Sequence, residues 1–338
     1  MTENNNNSKS TDVFGVGNAM VDILALVEDN FIQEHDLNRG SMTLMDAEKQ
    51  AGLLHKLEHH SLELGSGGSA ANTMIAIVQS GGKGFYSGKV SHDTNGEFYR
   101  QDLLEAGIRF DVHPASNHIG STGTCLVLTT PDAERTMCTH LGVSTTLAPT
   151  DIDVDLLSRC QYSYVEGYLW DAESPRKACV ETMEQSKRNQ VQVAFTFSDS
   201  FLVDRFADDF HKLVSDYCDV LFCNADEVRR FCELESLTEC ANKIGQLVDT
   251  AFITDGANGC LVVQNQQVSS VSGFPVHAKD TVGAGDAFAG GVMFGLTNGF
   301  SAAKAARWGN YMASCVVQIH GARLDKSMAH LVPEIIGH

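Results

Sequence analysis

The sequence has few basic residues and no long hydrophobic run. It contains 24 Lys and Arg against 43 Asp and Glu in 338 residues, a formal net charge of −19 at pH 7. This balance argues against a nucleic-acid-binding surface, which needs a stripe of basic side chains. No apolar run approaches the ~20 residues of a membrane-spanning helix. We therefore expect a small-molecule partner, with neither nucleic acid nor membrane; backbone N–H groups can still bind a small anion locally.

The sequence also lacks paired cysteines and an apolar N-terminal segment. None of its ten cysteines forms a Cys-x-x-Cys pair, and most have apolar neighbours. This pattern favours reduced, buried thiols in a cytoplasmic protein over a disulfide frame or a zinc site. Residues 1–11 are rich in Asn and Ser, which predicts a disordered lead-in rather than a secretory signal.

Short β-rich segments alternate with helical ones along the rest of the chain. The predicted strands are residues 13–16, 84–87, 161–165, 191–197, 220–223 and 251–254, and the predicted helices are residues 70–79, 94–104, 286–296 and 302–319. Such alternation predicts an α/β fold with a doubly wound, mostly parallel sheet flanked by helices. Residues 12–338 are expected to form one such unit.

Two segments interrupt the alternation and predict a small second β layer. The first covers about residues 23–44. The second covers residues 122–140 and contains two β runs around Pro131-Asp132, which predicts a hairpin.

Two common nucleotide-binding motifs are missing. Gly15-Val16-Gly17 begins like a dinucleotide fingerprint, but Met20 replaces the third glycine and the following residues favour a strand rather than a helix. This context argues against a Rossmann site. No G-x-x-x-x-G-K-[ST] phosphate loop occurs.

A first glycine cluster precedes the helix predicted at residue 70. Gly67 and Gly68 would let the backbone approach a ligand closely, and Asn72 lies in the first helical turn. These three residues predict a ligand-binding wall. The alternative is a plain loop that connects to the helix.

The sharpest motif is the segment 280–291, with Gly283, Ala284, Gly285 and Asp286 at a predicted helix start. Free N–H groups at the positive end of a helix dipole bind an anion such as a phosphoryl group. Asp286 beside that site predicts a base that takes a proton from a substrate hydroxyl. The alternative is a carboxylate that only caps the helix.

Asn224 and Glu227 follow a predicted strand, at the carboxyl end where α/β proteins bind ligands. Three residues apart on a helix, they would support Mg²⁺ through water. An ordinary helix cap is the alternative.

Two further features fit phosphate chemistry. The segment with Thr254, Gly256 and Gly259 also follows a strand, and it would hold a nucleotide or simply turn a hairpin. Arg135, in the second β segment, would reach a transferring phosphate; a surface charge is the alternative.

Three motifs, in the expected order, resemble those of the ribokinase-type (PfkB) carbohydrate kinases: Gly67-Gly68 with Asn72, Asn224-Ala225-Asp226-Glu227, and Asp280-Thr281-Val282-Gly283-Ala284-Gly285-Asp286. Within that family the sequence is most similar to adenosine kinases, in Asn18-Ala19-Met20-Val21-Asp22, Thr122-Gly123-Thr124-Cys125, Glu134-Arg135-Thr136, Glu166-Gly167-Tyr168 and Phe197-Ser198-Asp199. The resemblance implies a ribokinase-like kinase domain at residues 12–338 with a β-sheet lid.

The resemblance also implies roles for individual residues. Asp286 would be the base, with Gly283, Ala284 and Gly285 as its anion hole and Arg135 on the phosphoryl group. The acceptor sugar would contact Asn18, Asp22, Gly67, Gly68 and Asn72. ATP with Mg²⁺ would contact Asn224 and Glu227, and ATP would also contact Thr254, Gly256, Gly259 and Asn310. Asp280 would bind a monovalent cation such as K⁺.

These implications predict an ATP- and Mg²⁺-dependent kinase that phosphorylates the 5′-hydroxyl of a nucleoside, adenosine first. A free-sugar kinase acting on ribose or fructose is the alternative within the enzyme class. A non-catalytic nucleoside or sugar sensor is the alternative from another class. A monomer and a homodimer are both compatible with the sequence.

Overall fold

The computed structural model describes residues 11–132 and 134–337. Its strands are β1 (Thr11–Val16), β2 (Met20–Leu26), β3 (Met42–Leu44), β4 (Leu62–Gly67), β5 (Gly84–Ser87), β6 (Gly123–Thr129), β7 (Arg135–His140), β8 (Cys160–Glu166), β9 (Gln192–Thr196), β10 (Val220–Asn224), β11 (Thr250–Thr254), β12 (Cys260–Gln264) and β13 (Gln267–Val271). Its α-helices are α1 (Asp29–Glu34), α2 (Ala47–Lys56), α3 (Ser69–Gln79), α4 (Thr94–Glu105), α5 (Val154–Leu157), α6 (Glu173–Arg188), α7 (Ser200–Arg205), α8 (Ala207–Asp216), α9 (Ala225–Cys232), α10 (Leu237–Ile244), α11 (Ala284–Thr297), α12 (Ala302–Val316) and α13 (Val332–Ile336).

The larger sheet has the strand order β13-β12-β11-β10-β9-β8-β1-β5. Pairing is parallel from β5 to β11 and antiparallel between β11, β12 and β13. Successive side chains of a strand point to opposite faces, and Val13 and Phe14 of β1 belong to two different hydrophobic clusters. Helices therefore cover both faces, which confirms the predicted doubly wound α/β fold.

The two clusters contain different helices. The first includes Met74 of α3 and Val292 of α11. The second includes Met183 of α6 and Phe210 of α8. No helix of the described ranges is both long and apolar enough to cross a membrane.

A smaller second sheet has the order β3-β7-β6-β2-β4. The segments 23–44 and 122–140 supply β3, β6, β7 and most of β2. β4 was not predicted from the sequence, because Gly65-Ser66-Gly67 has low strand propensity. Antiparallel pairing with β2, such as Asp22 with Gly65, supplies the missing stabilisation. The disordered lead-in was predicted at residues 1–11. Thr11 instead begins β1, and residues 1–10 lie outside the described ranges.

Candidate active site

A cavity of about 380 Å³ lies between the two sheets. The second sheet contributes Met20, Asp22, Met42, Cys125 and Met137 to its wall. Carboxyl ends of parallel strands and the first turns of α3 and α11 form the opposite side, with Glu166, Thr196, Asn224, Thr254, Asn72 and Asp286. The cavity is therefore at the edge where ligands bind in open α/β sheets.

The start of α11 presents unpaired backbone donors to this cavity. Gly283 precedes the helix with φ of +75°, and an added Cβ would lie 2.2 Å from the Ala322 carbonyl oxygen. Within the described chain, the N–H groups of Gly285 and Asp286 donate to no acceptor, whereas Ala284 makes a 3.3 Å bond to the Thr281 carbonyl. Free donors at the positive end of a helix dipole form an anion site.

Two side chains of α3 hold the carboxylate of Asp286. Ser69 Oγ donates to Asp286 Oδ1 at 2.6 Å, and Asn72 Nδ2 donates to Asp286 Oδ2 at 3.2 Å. Burial raises the pKa of Asp286 to about 6, while these two bonds oppose that rise. The carboxylate is thus largely ionised at neutral pH and has a pKa suited to general-base work.

The acceptor-side residues lie close together. The Gly67 position leaves no room for a side chain, because a Cβ there would be 2.2 Å from Asp22 Oδ1. Gly68 has φ of +98°, and its Cβ would be 2.2 Å from the Asn18 carbonyl oxygen. Asn72 Oδ1 is buried and has no hydrogen-bond partner in the described residues, so it is available to a ligand.

Burial raises the pKa of Asp22 to about 7. The positive charges of Arg323 and Arg135 oppose this rise, in that order of size, and the charge of Asp286 adds to it. Asp22 is therefore poised between its neutral and ionised forms near neutral pH.

Glu166 and Ser69 are site residues to which sequence analysis gave no role. Glu166 Oε1 accepts from Asn18 N at 2.6 Å and Oε2 accepts from Ala70 N at 2.8 Å, which joins the turn after β1 to the start of α3. Burial raises the pKa of Glu166 to about 7. The sequence held a signal for each role: Glu166 is an acid at the end of a predicted strand, and Ser69 is a hydroxyl between Gly68 and Asn72.

Asn224 and Glu227 form the capping box that was the alternative interpretation. Asn224 N and Nδ2 donate to Glu227 Oε2 and Oε1 at 2.9 and 2.8 Å, and Asn224 Oδ1 accepts from the Asp226 and Glu227 N–H groups. Both also line the cavity. Burial raises the pKa of Glu227 to about 7.

The hydrogen bonds that Glu227 already accepts determine how a magnesium ion would fit beside it. Each carboxylate oxygen of Glu227 already accepts one N–H donor. In the described ranges, no group of three or more His, Cys, Asp or Glu side chains is arranged to hold a metal. The pair therefore fits a hydrated ion held through water rather than direct ligation, since Mg²⁺ usually keeps several waters.

Arg135 forms a buried ion pair with Asp280 instead of lining the cavity. Asp280 also accepts from Val282 N and Gly321 N, each at 3.0 Å. Burial lowers the pKa of Arg135. A carboxylate that a guanidinium already neutralises does not fit a monovalent-cation site, so we derive no step through K⁺.

The predicted nucleotide residues divide into two groups. Thr254 ends β11 and lines the cavity, whereas Gly256 and Gly259, at φ of +54° and +96°, turn the hairpin into β12. Asn310 Nδ2 donates to the Val271 and Ser272 carbonyls at 3.1 and 3.2 Å and ties α12 to the end of β13. These last three residues do not line the cavity, and their contacts with ATP stay predictions.

In this geometry, ten predicted site residues line one cavity: Asn18, Asp22, Gly68, Asn72, Asn224, Glu227, Thr254, Gly283, Gly285 and Asp286. Gly67 in β4 and Ala284 in α11 do not line it but are next in the chain to residues that do. A family model described as pfkB family carbohydrate kinase matches residues 41–328. The chain belongs to the pfkB family.

Solved structures and curated proteins are similar to this chain over nearly its whole length. The crystal structure of adenosine kinase from Sinorhizobium meliloti shares 32% identity with a TM-score of 0.89, covering 96% of this chain and 99% of that one. A probable sugar kinase from Rhizobium etli CFN 42 shares 30% identity with a TM-score of 0.89, covering 96% and 98%. Adenosine kinase of Saccharomyces cerevisiae is 29% identical over 325 residues, 90% of this chain and 94% of that protein.

Membership of the pfkB family fixes the reaction class. The chain is a phosphotransferase with an alcohol group as acceptor, a nucleoside or sugar kinase. ATP is the phosphate donor that the family implies.

Proposed function

We propose that this kinase transfers the γ-phosphoryl group of ATP to the 5′-hydroxyl of a nucleoside, adenosine first. The observation that carries the proposal is the juxtaposition of Asp286 with the unpaired N–H groups at the start of α11. Similarity to adenosine kinases from two organisms supports the nucleoside acceptor.

Asp286 accepts the proton of the acceptor hydroxyl as the new O–P bond forms and the bond to the leaving ADP oxygen breaks. Phosphoryl transfer passes through a loose transition state, so positioning and charge stabilisation carry most of the catalysis. The proposed anion hole at Gly283, Ala284 and Gly285 stabilises charge on the phosphoryl oxygens through the free N–H groups at this helix start. Ser69 and Asn72 hold the Asp286 carboxylate in place.

The acceptor sugar binds through its hydroxyls. Asp22, Gly68 and Asn72 are the groups that hold them, while Gly67 leaves room for the Asp22 side chain and the Asn18 carbonyl lies against Gly68. Asn224 and Glu227 would hold a hydrated Mg²⁺, which would supply charge neutralisation on the phosphates. Arg135 exchanges its contact with Asp280 for the phosphoryl group as the second sheet closes and excludes water.

Apolar side chains of the second sheet favour a nucleoside over a free sugar. Met20, Met42, Leu44 and Met137 line the cavity beside Asp22. They suit a flat hydrophobic base, and methionine adapts to irregular shapes. The similarity to a probable sugar kinase keeps the free-sugar kinase as the second candidate.

ADP release should be measured with adenosine, inosine, guanosine, ribose and fructose at saturating ATP and Mg²⁺. We expect the highest kcat/KM with adenosine. Preference for ribose or fructose would contradict the nucleoside assignment. Tight nucleoside binding without ADP release would favour a sensor.

A further inference from the structure

The loop after α12 is fastened by four consecutive residues. Gly321 N donates to Asp280 Oδ2 at 3.0 Å, and the Ala322 carbonyl lies against Gly283. Arg323 donates to Ser66 of β4 in the second sheet. The Leu324 carbonyl accepts from Gln79 Nε2 at 2.5 Å. This loop thus packs against the first residue of the anion site and, through Arg323, against β4 of the second sheet.

Arg323 forms a closed hydrogen-bonded triangle with Asp102 of α4 and Ser66 of β4. Its Nη2 lies 2.5 Å from Asp102 Oδ2, and its Nη1 donates to Ser66 Oγ at 2.7 Å. Ser66 N donates to the same Asp102 oxygen at 2.8 Å. The two charged side chains are only 23% and 27% exposed, so the guanidinium is held in one place.

This fixed position is against the part of β4 that pairs with Asp22. Val21 pairs with Ser66 across β2 and β4, and Asp22 pairs with Gly65, where an added Cβ would lie 3.1 Å from Arg323 Nη2. The groups that interact electrostatically with Asp22 are Arg323, Arg135, Asp286, Cys125 and Tyr99. Of the two cations, Arg135 is occupied by Asp280, which leaves Arg323 as the larger influence on Asp22.

We propose that Arg323 is a positioning residue of the acceptor site, which raises the fraction of Asp22 in the ionised form that accepts hydrogen bonds from the acceptor hydroxyls. This inference rests on the proposed function, in which Asp22 binds those hydroxyls. An ionised carboxylate accepts through both oxygens, whereas a protonated one loses part of that capacity. Asp102 and Ser66 hold the guanidinium where its charge acts on Asp22.

The test compares Arg323→Met, which removes the charge, with Asp102→Asn, which keeps the charge but weakens the contact that fixes its position. Loss of the Arg323 charge raises the pKa of Asp22 above its wild-type value of about 7. A rise of about one unit lowers the ionised fraction at pH 7 from about a half to about a tenth, so KM for adenosine rises about fivefold. We expect that KM to return toward the wild-type value near pH 9. Asp102→Asn loosens the guanidinium and should shift the KM profile in the same direction as Arg323→Met, toward higher pH, by a smaller amount.

A purely structural role predicts a different result. It would weaken binding in both variants at every pH, without rescue at high pH, and that outcome overturns the proposal. Arg323→Lys keeps the charge and should keep the wild-type pH profile of KM. Lys326 lines the surface groove that also contains Asp102 and Arg323. Lys326→Met removes an equal charge outside the triangle and should leave KM unchanged. Melting temperatures verify that each variant folds. If Arg323→Met does not fold, the pH profile of KM in Asp102→Asn tests the proposal, with Arg323→Lys as the control that keeps the charge.

A second measurement separates this inference from the proposed function. Carbon-13 NMR titration of the Asp22 carboxyl, assigned with Asp22→Asn, needs no substrate. We expect its midpoint to rise in Arg323→Met, and an unmoved midpoint overturns the inference whatever the acceptor is. A moved midpoint with unchanged KM also overturns it. Absence of phosphorylation across the acceptor panel would instead contradict the proposed function and leave the titration interpretable.

Discussion

At the residue scale, the site depends on four acids held in different ways, with Glu166 and Glu227 buried and Asp22 and Asp286 partly buried. Asp286 is bound by two side chains and Glu166 by two backbone N–H groups. Burial raises the pKa of Asp286 to about 6 and that of Asp22, Glu166 and Glu227 to about 7. These carboxyls therefore change charge near neutral pH, unlike ordinary surface acids.

Replacing the proposed base should abolish turnover but not binding. Asp286→Asn keeps the shape and one acceptor oxygen but cannot take a proton, so we expect kcat to fall by about 10²–10⁴-fold. Calorimetry should show nucleoside affinity close to that of the wild type. Asp226→Asn, an exposed first-turn acid of α9, is the matched control and should retain kcat. Wild-type kcat in Asp286→Asn would contradict the assignment.

The acid limb of the pH profile should move when Ser69 is changed. In the proposed mechanism the ionised form of Asp286 is active, so kcat rises as pH increases through about 6. Ser69→Ala removes a hydrogen bond that lowers the pKa of Asp286, and the limb should shift to higher pH. Steady-state rates from pH 5 to 9 measure this shift. A shift to lower pH would show that Ser69 does not stabilise the ionised carboxylate.

At the element scale, the first turns of α3 and α11 build the site together. α3 supplies the two donors to Asp286, and α11 supplies Asp286 and the free N–H groups. The two helices pack through small residues: an added Cβ at Gly290 would lie 2.5 Å from the Ala76 Cβ. Close packing of these helices therefore fixes the distance between base and donors.

Two glycines of one helix start should respond differently to substitution. At Gly285 an added Cβ meets nothing within 4 Å and points into the cavity, so Gly285→Val should fold normally but lose ATP binding and turnover. At Gly283, positive φ and contact with the Ala322 carbonyl oppose any side chain. Gly283→Ala should lower the free energy of unfolding by about 1–3 kcal/mol. Denaturant unfolding and nucleotide titration distinguish these results, and normal ATP turnover in Gly285→Val would contradict the anion site.

At the scale of the whole molecule, the raised acids make stability depend on pH. Asp22, Glu166, Glu227 and Asp286 bind protons more tightly in the folded chain than in the unfolded one. Their contribution to stability is therefore full below their ordinary pKa values and is lost as pH rises to about 7. The net charge of −19 adds self-repulsion in the same direction.

The melting temperature without ligands should therefore fall between pH 5 and pH 8. Asp22→Asn removes one of the responsible groups and should make that fall shallower. Differential scanning calorimetry in low-salt buffers measures both slopes. A wild-type melting temperature that rises over this range would contradict the proposed burial of these acids.

Much of the molecule follows from local patterns. Strand and helix alternation predicts the large sheet, and the segment around Pro131-Asp132 predicts the β6–β7 hairpin. β4 was missed because its glycines and serine favour a loop until β2 pairs with them. Ser69, Glu166 and Arg323 were not predicted as site residues, since each acts through a partner at least 96 positions away or on a separate element.

The sequence by itself determined the order of elements and the helix start at Gly283-Ala284-Gly285-Asp286, because backbone freedom and N–H donors are local properties. Only the tertiary structure decided what surrounds each charge. It placed Arg135 on Asp280, turned Gly256 and Gly259 away into a hairpin, and set Arg323 against the part of β4 that pairs with Asp22. The physical reason is that burial and charge pairing depend on residues distant in the chain, which sequence spacing does not specify.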